Sequence, residues 1–198
     1  MNIGVLVSGG GTNLQALIDS HFNGKIVTVV SSNPNAYALE RAKNAGIPTK
    51  IIQRQPNASQ LICQYLKEMK VDLVVLAGFM CIIDGNLLDE YKNKMINVHP
   101  SLIPSFCGEG YYGLHVHRAA LAKGVKITGA TVHFVNEEVD GGCIILQKAV
   151  EVLDDDTPET LQKRVMEQAE WEILPKAVSL ICDNRIKIVD NRAVILPE

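Results

Sequence analysis

Asn2-Ile3-Gly4-Val5-Leu6-Val7-Ser8-Gly9-Gly10-Gly11-Thr12-Asn13 opens the chain. Asn2 to Val7 is almost wholly apolar, which fits a strand covered on both faces, as in a parallel α/β sheet. The glycines end it, and Leu14, Leu17 and Ile18 then recur at helical spacing up to Asp19. A strand, a glycine loop and a helix start together describe an anion cradle. The glycines let backbone approach a ligand, and free N–H groups at the helix start bind phosphate oxygens. The loop lacks the lysine of the P-loop and the third glycine of the dinucleotide fingerprint. The same residues also read as a tight turn with Thr12 or Asn13 capping the helix.

The pattern repeats. Lys25 to Ser31 is a second strand, Tyr37 to Asn44 a helix closed by Gly46, and Thr49 to Ile52 a third strand. Asn57 or Ser59 caps a helix running to Met69, and Val71 to Leu76 is a strongly apolar fourth strand. This alternation predicts an α/β fold, a doubly wound, mostly parallel central sheet with helices on both faces. In such sheets ligands bind at the carboxyl ends of the strands, where Gly11, Gly78 and His99 are expected.

Ile96-Asn97-Val98-His99-Pro100-Ser101-Leu102-Ile103-Pro104 follows a charged amphipathic segment, Leu87 to Met95. Asn97 and His99 lie two apart, so on a strand their side chains share one side. An amide there donates to a developing oxyanion, and an imidazole transfers a proton near neutral pH. The alternative is a polar strand end leaving the sheet. Ser105 to Gly113 reads as a loop and Leu114 to Lys123 as a helix bearing His115 and His117. Positions i and i+2 of a helix face different ways, so a metal shared with His99 is not expected. His133, in a strand over Lys126 to Val135, reads as structural. Asp140 precedes two glycines: it is a loop acid able to reach a cleft, or part of a plain hairpin turn. Cys143 to Val150 is a further strand. Thr157-Pro158-Glu159 starts a helix expected to run to Ile173, with Glu170 on an exposed edge. From Ser179 the tail reads as two short strands, Arg185 to Val189 and Ala193 to Leu196.

At 198 residues and 47% hydrophobic, the chain has enough apolar material for one sizeable core, and a single domain over 1–198 is expected. A net charge of −3 gives no reason to expect nucleic acid or an anionic membrane as partner. The five cysteines are scattered without a CxxC pair, as suits reduced thiols in a cytoplasmic protein.

Four pieces in order (SGGGTNLQALID, DLVVLAGFM, INVHPSLIP and TVHFVNEEVDGGCIILQ) resemble the folate-dependent glycinamide ribonucleotide formyltransferases over nearly the whole chain. The resemblance implies a Rossmann-like formyltransferase fold. It implies transfer of the formyl group of 10-formyltetrahydrofolate, a co-substrate, to the amine of glycinamide ribonucleotide in purine biosynthesis. The related formyltetrahydrofolate deformylase, a hydrolase, is the alternative. By the resemblance, Asn97, His99 and Asp140 are catalytic, with Asp140 favouring a protonated His99. Gly11, Thr12 and Asn13 would hold the ribonucleotide phosphate and Glu170 the ribose hydroxyls. Met80, Cys81, Ile82, Ile83, Asn97 and Val139 would line the folate site. No metal is implied, and the protein would be a monomer or homodimer. Two departures stand out. Many relatives have arginine where Cys81 stands, and another before the helix near Ser59, for which Arg54 is the nearby candidate. The Ser105 to Gly113 loop is also about five residues longer than in the best-known relatives. Its Tyr111 and Tyr112 either cover the cleft or pack on the surface.

Overall fold

The computed structural model describes residues 1–83 and 85–197. The chain forms two compact units, Met1–Asn97 and Val98–Glu198.

The first unit holds β1 (Asn2–Val7), α1 (Thr12–Ile18), β2 (Lys25–Ser31), α2 (Tyr37–Asn44), β3 (Thr49–Ile51), α3 (Ala58–Glu68), β4 (Leu73–Leu76) and α4 (Gly85–Glu90). It also holds most of β5 (Met95–His99). Its strands run in the order β3-β2-β1-β4-β5, all parallel. From β1 the chain steps outward through β2 to β3, then returns to the other side of β1. Right-handed crossovers therefore put α1 and α2 over one face and α3 and α4 over the other. Contacts between α1 and α2, and between α3 and α4, agree. The direction of winding reverses between β1 and β4, and sheets of this kind bind ligands beyond the carboxyl ends of the strands at such a point. Ile3, Val5, Leu6 and Val7 are fully buried, as a central two-sided strand requires.

Two boundaries differ from expectation. β4 begins at Leu73 rather than Val71, because Val71 N–H donates to the Leu66 carbonyl and belongs to the turn. Neither Thr12 nor Asn13 caps α1: the cap is Gly11, in the left-handed region at φ 72.

The second unit contains α5 (Leu114–Lys123), β6 (Ile127–Phe134), β7 (Ile144–Glu151), α6 (Pro158–Val165), a π-helical turn (Met166–Glu170) and α7 (Trp171–Cys182). A hairpin of β8 (Ile186–Val189) and β9 (Arg192–Ile195) follows. β6 and β7 pair antiparallel, so the sheet of this α/β fold is mostly, not wholly, parallel. A register shift between Val132 and His133 marks a bulge. Thr157 and Thr160 cap α6 reciprocally. Arg164 grips the almost fully buried Asp156 with two bonds, at 2.5 and 2.7 Å. The expected stop at Ile173 is corrected, whereas the two strands expected in the tail are found as β8 and β9, within a residue of their expected bounds and preceded by helix. The helix continues to Cys182 because Ile173, Leu174, Ala177, Val178 and Leu180 are buried along it. The π-helical turn lies directly before the stretch in which Pro175 removes a helical bond.

Candidate active site

The glycine loop is a backbone structure. A Cβ on Gly11 would lie 2.6 Å from the Ala38 Cβ, so only glycine lets α1 start this close to α2. Among the described residues, nothing beyond the immediate chain neighbours lies within 4 Å of a Cβ built on Gly9 or Gly10. Ala38 N–H donates to the Gly9 carbonyl at 3.1 Å. Arg41 Nε donates to the Gly10 carbonyl at 2.8 Å, while its guanidinium lies over the Tyr37 ring. Sequence reading missed this brace, since nothing in the glycine pattern points thirty residues on. Across the switch point, Met80 N–H donates to Ser8 Oγ at 2.8 Å, so the loops after β1 and β4 touch. Asn13 is buried and Thr12 half-buried at the helix start.

In the second unit the polypeptide after His99 is pinned to β6. Thr131 Oγ1 donates to the Ser101 carbonyl at 2.7 Å and accepts from Ile103 N–H at 3.1 Å. Ser101 Oγ donates to the Ser105 carbonyl at 2.6 Å. His99, 4% exposed, thereby faces two acceptors. Its Nε2 lies 2.8 Å from the Phe106 carbonyl, and its Nδ1 lies 3.4 Å from Asp140 Oδ2. Asp140, itself at φ 58, accepts from Gly108 N–H at 2.9 Å. His133 Nε2 stands 3.6 Å from its other oxygen, and His133 Nδ1 donates to the Phe134 carbonyl at 2.8 Å. The carboxylate therefore sits between two imidazoles, each tied to a backbone carbonyl on its far side. The bulge beside His133 is the kind of irregularity that re-aims a strand residue.

Burial lowers the pKa of His99 below the ordinary histidine value, and it outweighs the upward pulls of Asp140 and the Phe106 carbonyl. Asp140 thus favours the imidazolium, as expected, while desolvation acts against it, and the net direction is downward. For Asp140, burial acts upward, yet His133, the His99 charge and the Gly108 N–H together hold its carboxyl below the usual range. His117, fully buried on α5, is pushed down to about 4 by burial and by His99. Both its ring nitrogens are without hydrogen-bond partners among the described residues.

A buried imidazole held between a carboxylate and a carbonyl, on the strand that carries Asn97, is an arrangement able to exchange a proton. Residues 1–178 match the formyl transferase family. The chain belongs to the formyl transferase family. It is 40% identical to the phosphoribosylglycinamide formyltransferase of Haemophilus influenzae, over 98% of this chain and 92% of that one. It also spans 19% of the trifunctional purine biosynthetic protein adenosine-3 of Gallus gallus, at 42% identity over 95% of this chain. Among solved structures, glycinamide ribonucleotide transformylase 1 from Symbiobacterium toebii superposes with a TM-score of 0.94 at 40% identity, covering 100% of this chain and 94% of that one. A formyltetrahydrofolate deformylase from Pseudomonas syringae is more distant: TM-score 0.88, 27% identity, 99% of this chain and 66% of that one.

For a member of this family, the other expected site residues fall as follows. Met80 and Ile82 are 52% and 79% exposed on the loop after β4, with Cys81 and Ile83 half-buried beside them. Val139 is likewise exposed. Arg54 lies in an exposed bend before α3. Glu170 is not on an exposed edge but buried, at the end of the π-helical turn, an irregularity frequent at functional sites. Tyr111 packs against Phe106 and Tyr112 edge-on to His115. Sequence reading took His133 as structural and missed the Phe106 carbonyl and Gly108 amide. A histidine in an otherwise apolar, alternating strand was the available signal for His133; backbone groups give none.

Proposed function

We propose that the chain transfers the formyl group of 10-formyltetrahydrofolate to the amine of glycinamide ribonucleotide, giving the formylated ribonucleotide and tetrahydrofolate. The observation that carries this is the approach of His99 Nδ1 to Asp140 at 3.4 Å, with Asn97 two residues earlier on the same strand. The neutral amine attacks the formyl carbon, and a tetrahedral oxyanion and an ammonium form. The Asn97 amide donates to the oxyanion. His99 Nδ1 takes the surplus proton from the ammonium, directly or through a water. Asp140 stabilises the resulting imidazolium, and the proton then passes to the departing folate nitrogen as the carbon–nitrogen bond breaks. A neutral amine is already a competent nucleophile, so the step as written calls for no metal.

In this reading Gly11, Thr12 and Asn13 bind the phosphate through backbone N–H groups, and Glu170 accepts from the ribose hydroxyls. Met80 to Ile83 and Val139 offer the apolar surface that a pterin needs, with Cys81 contributing no charge. The chain acts as one formyltransferase domain in the cytoplasm, as monomer or homodimer, with small molecules as its partners. No helix among the described residues is long and apolar enough to cross a membrane. The test is a formyl-transfer assay with both substrates, beside the His99→Ala variant. Activity in the parent with a loss of about 10²-fold or more in the variant is expected. Equal rates in both would refute the role of His99.

A further inference from the structure

The nitrogen of His99 that does not face Asp140 is held by the long loop after Pro104. Phe106, whose carbonyl lies 2.8 Å from Nε2, has φ +50, a region bulky residues rarely occupy. Its ring rests against Tyr111, with centroids 6.3 Å apart and planes at 58°. Two residues on, Gly108 N–H donates to Asp140 at 2.9 Å. One short stretch of backbone therefore grips both the base and its carboxylate. A carbonyl only accepts, so Nε2, at 2.8 Å, carries a hydrogen; the carboxylate also only accepts but lies farther off, at 3.4 Å, so Nδ1 is the nitrogen whose proton can come and go.

We infer that Phe106 is a positioning residue: its inward-turned carbonyl commits Nε2–H of His99 and leaves Nδ1, opposite Asp140, as the working nitrogen. This rests on the formyl-transfer reading above. Without that carbonyl the ring is free to turn over and present either nitrogen to Asp140, and the atom that exchanges the proton is no longer set. The groups around His99 are Asp140 from the loop after β6, His133 from β6 itself and His117 from α5. The acceptor at Nε2 is the Phe106 carbonyl, which is itself one of the influences raising the His99 pKa.

The experiment is ¹⁵N NMR of the histidine side chains through a pH titration of the full chain, with His99 assigned from His99→Gln. The parent, Phe106→Pro and Phe106→Gly are compared, and turnover is measured on each. Proline fixes φ near −65° and forbids the observed turn; glycine takes it freely, and both lose the ring. In the parent, neutral His99 should be the Nε2–H tautomer. Phe106→Pro should move the His99 titration to lower pH and lose about tenfold in turnover relative to Phe106→Gly, which keeps the parent tautomer. An Nδ1–H tautomer in the parent overturns the inference, even if the proline variant does not fold. Equal shifts in the two variants also overturn it, since ring packing would then be the cause. If the parent shows the expected tautomer but no formyl transfer, the functional reading fails and the positioning role stands.

Discussion

The glycine loop of the first unit and the histidine–aspartate cluster of the second are built from different materials. The loop is backbone: its key dimension is the absence of a Cβ at Gly11, and its brace, Arg41, holds a carbonyl rather than a ligand. The cluster is buried side chains whose protonation is set by neighbours and desolvation. A backbone cradle recognises a fixed charge and has no proton to exchange. A buried imidazole exchanges a proton only because its environment leaves it near balance. Damage to the loop should therefore appear in binding, and damage to the cluster in turnover.

The largest expected effect is in the cluster. Asp140→Asn should cut kcat by about 10²–10⁴-fold while leaving the KM for the ribonucleotide near that of the parent. Steady-state kinetics varying each substrate read both quantities; a change confined to KM would erase the contrast between the two regions. Gly11→Ala should do the reverse. Its Cβ meets Ala38 in a left-handed turn, so α1 must shift, and KM for the ribonucleotide should rise about tenfold with kcat less affected.

The cluster should also tie stability to pH where the loop does not. His117 has a folded pKa of about 4, below its unfolded value of about 6.5, so the unfolded chain binds the extra proton. Stability should be fully present above pH ~6.5 and fall by roughly 3 kcal/mol as pH drops to about 4. Urea denaturation across that range should show the slope, and His117→Leu should flatten it. A smaller change concerns the scaffold beneath. Arg164→Gln leaves Asp156 buried without its cation and should cost about 2 kcal/mol in the same denaturation experiment. The Arg164 guanidinium holds the Asp156 carboxyl far below the usual carboxylate range, so the pair's contribution is present above pH ~4 and lost in stronger acid, where the His117 window ends. A variant as stable as the parent at neutral pH would show that the pair is replaceable.

Much of the fold was legible because its information is local. The apolar runs of β1, β2 and β4, spaced by amphipathic helices, demand a covered parallel sheet, and glycine at position 11 marks a sharp turn. The second unit was harder to read. Helix α7 carries Pro175 and follows a π-helical turn, so its period is broken where the reading ended it, although its apolar face continues. Asn97 and His99 stood out as polar groups among apolar neighbours, and Asp140 as a loop acid before two glycines. Their electrostatics did not, because burial is a tertiary property: the carboxylate beside His99 was visible in principle, while the desolvation that outweighs it was not. For the same reason Glu170 read as a solvated edge residue and is buried.

The most direct test of the central claim is whether the ribonucleotide is the acceptor. Formate and formylated ribonucleotide should be counted in parallel, with and without glycinamide ribonucleotide, at saturating 10-formyltetrahydrofolate. The account predicts that folate consumption depends on the ribonucleotide and appears as formylated product. Formate release at the same rate in its absence would contradict it and make the chain a hydrolase.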